Sequence, residues 1–178
     1  MSDAPDRIEW QGKFITARTR GTWEYVTRAR GIRAAVIVAI DDDDHILLVE
    51  QYRVPLQKNC LELPAGLIGD DSEGEEAEIA AARELEEETG YRPAHIEMLG
   101  EYHSSPGMVS ESFTLVRAYG LTQVGPGGGT DSEAITVHRV ARAHLPQFVE
   151  MARARGLGID VRLLMLLAPG ILTSSLRA

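Results

Sequence analysis

The stretch Gly69 to Tyr91, GDDSEGEEAEIAAARELEEETGY, limits what this chain can fold into more than any other. From Glu75 to Thr89 it holds neither Pro nor Gly, and it is dominated by Ala, Leu, Glu and Arg, all good helix formers. The pattern predicts one helix, capped at its start by Asp71 and Ser72. Glu75 supplies a carboxylate in the first turn, and Gly90 stops the helix with Pro93 close behind. At about 100° per residue, Glu84, Glu87 and Glu88 fall within an arc of about 100°, as neighbours about 5–6 Å apart. Like charges so spaced repel by a few tenths of a kcal/mol per pair, so the stripe is unfavourable unless a positive group meets it. Three carboxylates on one face suit a hard divalent cation such as Mg2+, which takes oxygen ligands. Glu86 points to the opposite side, toward solvent. Ala81, Ala82, Leu85 and Thr89 make a buried face beside the acidic one.

A chain of 178 residues suffices for one domain with a proper core. Its 18 basic and 27 acidic residues leave a net charge of −9. That balance argues against a nucleic acid or an anionic membrane as partner. For an anionic substrate it leaves a deficit of positive charge that a bound metal would meet locally. The single cysteine, Cys60, forms no intrachain disulfide and is expected as a small buried hydrophobe. With an N-terminus, MSDAPDRIEW, that lacks a basic region followed by an apolar stretch, this predicts a cytoplasmic protein. The longest apolar run, Leu163 to Ala168, is too short to span a bilayer.

Along the chain, residues 8 to 30 alternate as β-formers around turns at Gly12 and Gly21, in Phe14-Ile15-Thr16 and Thr22 to Thr27. They predict a small antiparallel sheet, residues 1–30, too short to bury a core alone and therefore packed on the main domain, residues 31–178, or on a second subunit. Ala34 to Ile40 reads as a strand and His45 to Arg53 as its return, with Asp41 to Asp44 as a solvated hairpin tip; calcium-loop spacing is missing there. Leu61 to Gly66 is a short strand entering a Pro/Gly turn. Strands follow at Ile96 to Tyr102 and Phe113 to Tyr119, joined by the loop His103 to Met108. Gly125 to Thr130, GPGGGT, reads as a flexible loop that lifts Asp131, Ser132 and Glu133 before a strand at Ile135 to Val140. Two helices close the chain, about Ala141 to Arg155 and from about Asp160, the second broken or bent at Pro169-Gly170. The sum is a mixed sheet with helices, an α+β class built as an α/β/α sandwich.

An acidic surface helix would share the composition of Gly69 to Tyr91, but not its spacing. Gly69, five residues, Glu75, seven residues, Arg83-Glu84-Leu85, one residue, Glu87-Glu88, one residue, Gly90-Tyr91 resembles the Nudix box at each specified position, with aromatic Tyr91 where the pattern has an aliphatic residue. Features outside the box resemble the ADP-ribose and nucleotide-sugar pyrophosphatase branch of that superfamily. Pro106 lies sixteen residues after Gly90, Glu50-Gln51-Tyr52-Arg53 precedes Leu61 to Ile68, and Trp23-Glu24 lies in the first sheet. The likeness runs from about residue 8 to about residue 170.

The resemblance implies the Nudix fold, a mixed sheet between helices, and hydrolysis of the diphosphate linkage of a nucleoside diphosphate sugar. ADP-ribose, giving AMP and ribose 5-phosphate, is the foremost substrate, with Mg2+ or Mn2+ as cofactor. It implies metal ligation by Glu84, Glu87, Glu88 and the carbonyl of Ala65. It places Glu133, Glu87 and Arg83 in the catalytic machinery, with Glu133 as base and Arg83 and Glu75 orienting the helix. Trp23 would stack on the nucleobase and Glu24 accept from its polar edge. Arg53 would pair with the diphosphate, and Glu111 would touch a ribose. It further implies a homodimer with the first sheet packed or exchanged across subunits. Other readings stay open: a pyrophosphatase for GDP-mannose or another nucleotide sugar, a non-catalytic ADP-ribose-sensing module, or an interaction protein carrying a decorative acidic helix.

Overall fold

The computed structural model describes residues 4–29, 33–68, 76–130 and 133–173, of which 169–173 are described as backbone only. The expected caps Asp71 and Ser72, together with Gly69 and Glu75, lie outside the described residues.

Three strands, β1 (Asp6–Gln11), β2 (Ile15–Arg20) and β3 (Trp23–Arg28), form an antiparallel sheet in that order. Among the described residues, it joins the rest of the chain through Val26 and Arg28 of β3. Val26 N–H donates to the carbonyl of Met108, and Ser110 N–H donates to the carbonyl of Val26, each at 3.0 Å.

The main body holds two mixed four-stranded sheets. Its strands are β4 (Arg33–Ala39), β5 (His45–Arg53), β6 (Lys58–Glu62), β7 (Ala65–Ile68), β9 (His95–His103), β10 (Ser112–Tyr119), β12 (Thr136–Ala141) and β13 (Gly158–Ile159). One sheet runs β7-β4-β10-β9 and the other β12-β5-β6-β13. Two-residue strands β8 (Tyr91–Arg92) and β11 (Thr122–Gln123) pair separately. Helices α1 (Ala77–Thr89), α2 (Leu145–Ala154) and α3 (Leu164–Thr173) complete the fold. Among the described residues, no helix is long and apolar enough to cross a membrane.

Strand β4 explains the layering. After Arg33 it is apolar throughout, and its residues alternate between two cores, as the two-residue period of a strand demands. Ala35, Ile37 and Ala39 face α1, packing with Ala80, Ala81 and Leu85. Val36 and Val38 face the second sheet, packing with Ile46, Leu48, Leu61 and Leu63, where α2 and α3 contribute Val149 and Leu167.

Several expectations need correction. Helix α1 starts after Glu76, which gives no side-chain cap. Strands β4 and β5 belong to different sheets and pair through one bridge, Ile40 to Ile46, so Asp41 to Asp44 is a turn between layers, with Asp42, Asp43 and Asp44 exposed as expected. Arginines meet three of its four carboxylates: Arg139 reaches Asp41 and Asp43, and Arg142 reaches Asp44. Gly158–Ile159 forms an extra strand on β6, and α3 is not broken at Pro169-Gly170 but runs on to Thr173.

Candidate functional site

Helix α1 lies across β7, and that crossing builds the site. Gly66 lacks a Cβ where the Glu84 side chain passes over it; a methyl group there would sit 2.0 Å from Glu84 Cγ. One turn on, Glu88 is buried to 5% exposure, and its Oε2 accepts the Ala65 N–H at 3.0 Å. Arg83 donates to Glu84 at 3.0 Å and stands 3.4 Å from a Glu87 oxygen. Gly90 ends the helix as expected, in the left-handed region at φ 77°.

Glu84 and Glu88 open onto a cleft of about 670 Å³. Glu133 and Glu111 line it from other segments, as do Arg53 and Ala65. Arg53 forks onto Glu62 with two bonds of 2.6 Å, and Glu62, its side chain 3% exposed, also stands 3.7 Å from Arg162. Arg162 forks in turn onto Asp160 at 2.6 and 2.7 Å. Arg28 of β3 pairs with Glu111, so the first sheet reaches the cleft wall.

These contacts set the charges. Burial, reinforced by Glu84 and Glu133, pushes the Glu88 carboxyl up to about 8 despite the bond from Ala65. Burial also raises Glu84, against the pull of Arg83. The bond to Glu62 raises Arg53, which stays a cation. Cys60, buried as expected, is pushed up to about 12 by burial and Glu62, too high for a nucleophilic thiolate.

Of the residues singled out in the sequence, Ala65, Arg53, Glu84, Glu88, Glu111 and Glu133 meet in this one cleft. Arg83 and Glu87 line a neighbouring depression beside Gly90 and Gly125. Trp23 and Glu24 line neither: Trp23 is 57% exposed and sits at the far end of β3, about 17 Å along the strand from Arg28. His103 is exposed at the end of β9. Sequence reasoning missed Arg28, Glu62, Asp160 and Arg162. The signal for Glu62 was a lone charge inside Leu61-Glu62-Leu63; for Arg162 it was a cation two residues after a helix-capping Asp.

Among the described residues, no three His, Cys, Asp or Glu side chains converge tightly enough to grip an ion as they stand. Glu88 is turned onto Ala65 and Glu87 onto Arg83. The donor set nevertheless fits a hard cation. Glu84, Glu88 and Glu133 are carboxylates facing one cleft, and a divalent charge would offset the burial that opposes ionisation of Glu84 and Glu88.

The chain matches the family model for the NUDIX domain over residues 31–151. It is 40% identical over 100 residues to the methanol dehydrogenase activator of Bacillus methanolicus, covering 56% of this chain and 52% of that one. It is also 40% identical over 78 residues to the ADP-ribose pyrophosphatase of Bacillus subtilis, covering 44% and 40%. The chain spans about half or less of the length of these two curated relatives. The crystal structure of an ADP compounds hydrolase has the same fold, with a TM-score of 0.69 at 24% identity over 94% of this chain and 92% of that one. With residues 31–151 matched, well over half its length, this chain belongs to the NUDIX domain family.

Proposed function

We propose that this chain hydrolyses the diphosphate bridge of a nucleoside diphosphate sugar, ADP-ribose foremost, with Mg2+ as cofactor. The observation that carries the reading is the single cleft in which Glu84 and Glu88 of the acidic helix meet Glu133 from a separate segment, with Arg53 alongside. Similarity to the ADP-ribose pyrophosphatase of B. subtilis supports the substrate.

Glu84, Glu88, Glu87 after a side-chain rotation, and the carbonyl of Ala65 would hold the cation. When bound, it would supply positive charge against the diphosphate oxygens and acidify water. Arg53, backed by Glu62, presents a fixed guanidinium suited to phosphate oxygens. Glu133 takes the proton as water oxygen bonds to phosphorus. The bridging P–O bond breaks, and its electron pair leaves with the second phosphate. The products are two phosphate monoesters, AMP and ribose 5-phosphate for ADP-ribose. Glu111, tied to Arg28, borders the ribose.

Trp23 and Glu24 line neither of the two clefts described above, so their role at the nucleobase belongs to a homodimer in which the first sheet serves the partner. The exposed Trp10, Phe14 and Trp23 of that sheet are consistent with such packing. The expected location is the cytoplasm. Incubation with ADP-ribose, GDP-mannose and other nucleoside diphosphate sugars, with Mg2+ or with EDTA, tests the proposal through the products. Cation-dependent release of AMP from ADP-ribose supports it. Tight binding of ADP-ribose with no cleavage would assign a sensing role instead.

A further inference from the structure

The Gly125 to Thr130 segment reads from sequence as a flexible loop, yet it is fastened to the end of α1. Val124 and Gly125 N–H groups donate to the carbonyl of Gly90, at 2.8 and 3.1 Å. Gly128 N–H donates to the carbonyl of Glu88 at 2.9 Å, and Gly129 N–H to that of Glu87 at 3.0 Å. Carbonyls in the last turn of a helix have no partner within it, so this strap caps the same turn that carries the acidic residues. The approach leaves no room for side chains. A Cβ on Gly127, at φ +67°, would stand 2.4 Å from the Thr89 carbonyl carbon.

The strap also aims Glu133. The Glu133 carboxylate accepts from Thr130 N–H at 3.0 Å and from the Thr130 hydroxyl at 3.2 Å. Gly129, at φ +79°, lies against it: a Cβ there would come within 2.6 Å of Glu133 Oε2 and 2.9 Å of Glu133 Cβ.

We infer that Gly127, Gly129 and Thr130 are positioning residues, which fasten the Glu133 segment to the C-terminal carbonyls of α1 and direct its carboxylate across the cleft toward Glu84 and Glu88. This rests on the reading of Glu133 as the base. Its consequence is that base and acidic helix move as one unit, so that displacing the strap lowers the rate of the chemical step without weakening substrate binding.

A double-mutant cycle tests this with ADP-ribose and saturating Mg2+. Gly129→Ala is expected to lower kcat about tenfold or more, with KM changed less than about twofold. In a Glu133→Gln background the same change is expected to lower kcat by less than about twofold, because the group it aims is gone. Thr130→Val should follow Gly129→Ala in direction, and Thr130→Ser, which keeps the hydroxyl, should restore kcat. If Gly129→Ala fails to fold, the Thr130 pair decides. Should Glu133→Gln be crippled while Gly129→Ala and Thr130→Val keep wild-type kcat, or should the losses multiply in the double variant, the inference falls and the base assignment stands. Should Glu133→Gln itself turn over normally, the base assignment falls and takes the inference with it.

Discussion

Burial beside Glu84 and Glu133 makes the ionised form of Glu88 costly, and the cost has a definite sign in pH. The folded-state value is raised to about 8, from an ordinary 4.5. Stability from this group is therefore full below 4.5 and is lost as pH rises through 8, with a slope of at most ~1.4 kcal/mol per unit. In chelated buffer, the urea midpoint of the wild type should fall from pH 5 to pH 8. Glu88→Gln should flatten that fall and be the more stable protein at pH 8. Adding Mg2+ at pH 8 should raise the wild-type midpoint and leave the variant nearly unmoved. A midpoint that climbs with pH in the wild type, relative to the variant, would contradict this reading of Glu88. At Gly66 the argument is steric. Gly66→Ala forces the Glu84 side chain off β7, and turnover should drop at least about tenfold while the thermal midpoint moves little; unchanged turnover would show that the seat of Glu84 is dispensable.

At the scale of elements, α1 is anchored along one face and at its end: Ala80, Ala81 and Leu85 pack on β4 and β10, and the glycine strap closes the C-terminal turn. Gly90→Ala strains a residue at φ 77° and drives a methyl group to 2.2 Å from the Gly125 carbonyl oxygen, so it should cost ~1–3 kcal/mol in chemical unfolding. The acidic helix was the most legible element in the sequence because period, composition and stop residue agree there. Strand β4 was equally plain as an apolar run, and β5 and β10 lie within a residue of the bounds read from the sequence. The strap was misread as slack, since Gly-rich sequence signals conformational freedom but not the carbonyls that use it. Arg162 and Glu62 escaped notice because only the fold brings their two ion pairs, Arg162 with Asp160 and Glu62 with Arg53, side by side from a hundred residues apart. The ion pairs of the exposed turn at Asp41 to Asp44 escaped notice for the same reason: its arginines arrive from β12 and the turn that follows it.

For the whole molecule, the first sheet is the least explained by a single chain. Its outermost strand is exposed throughout, and it touches the body through Val26 and Arg28 alone among the contacts described above. Sedimentation equilibrium should return twice 19.5 kDa, and Trp23→Ala should raise KM for ADP-ribose several-fold with kcat held; a monomer, or an unchanged KM, would leave Trp23 outside the site. The net charge of −9 gives no general attraction for an anionic substrate, so the account places the decisive positive charge inside the cleft, on a cation held by the acidic helix. The most direct test is turnover of ADP-ribose at saturating Mg2+ by the wild type and by Glu88→Gln, following AMP release. The account predicts cation-dependent cleavage by the wild type and a loss of at least ~100-fold in the variant, the effect of several kcal/mol of transition-state stabilisation. A variant that cleaves as fast as the wild type would contradict it.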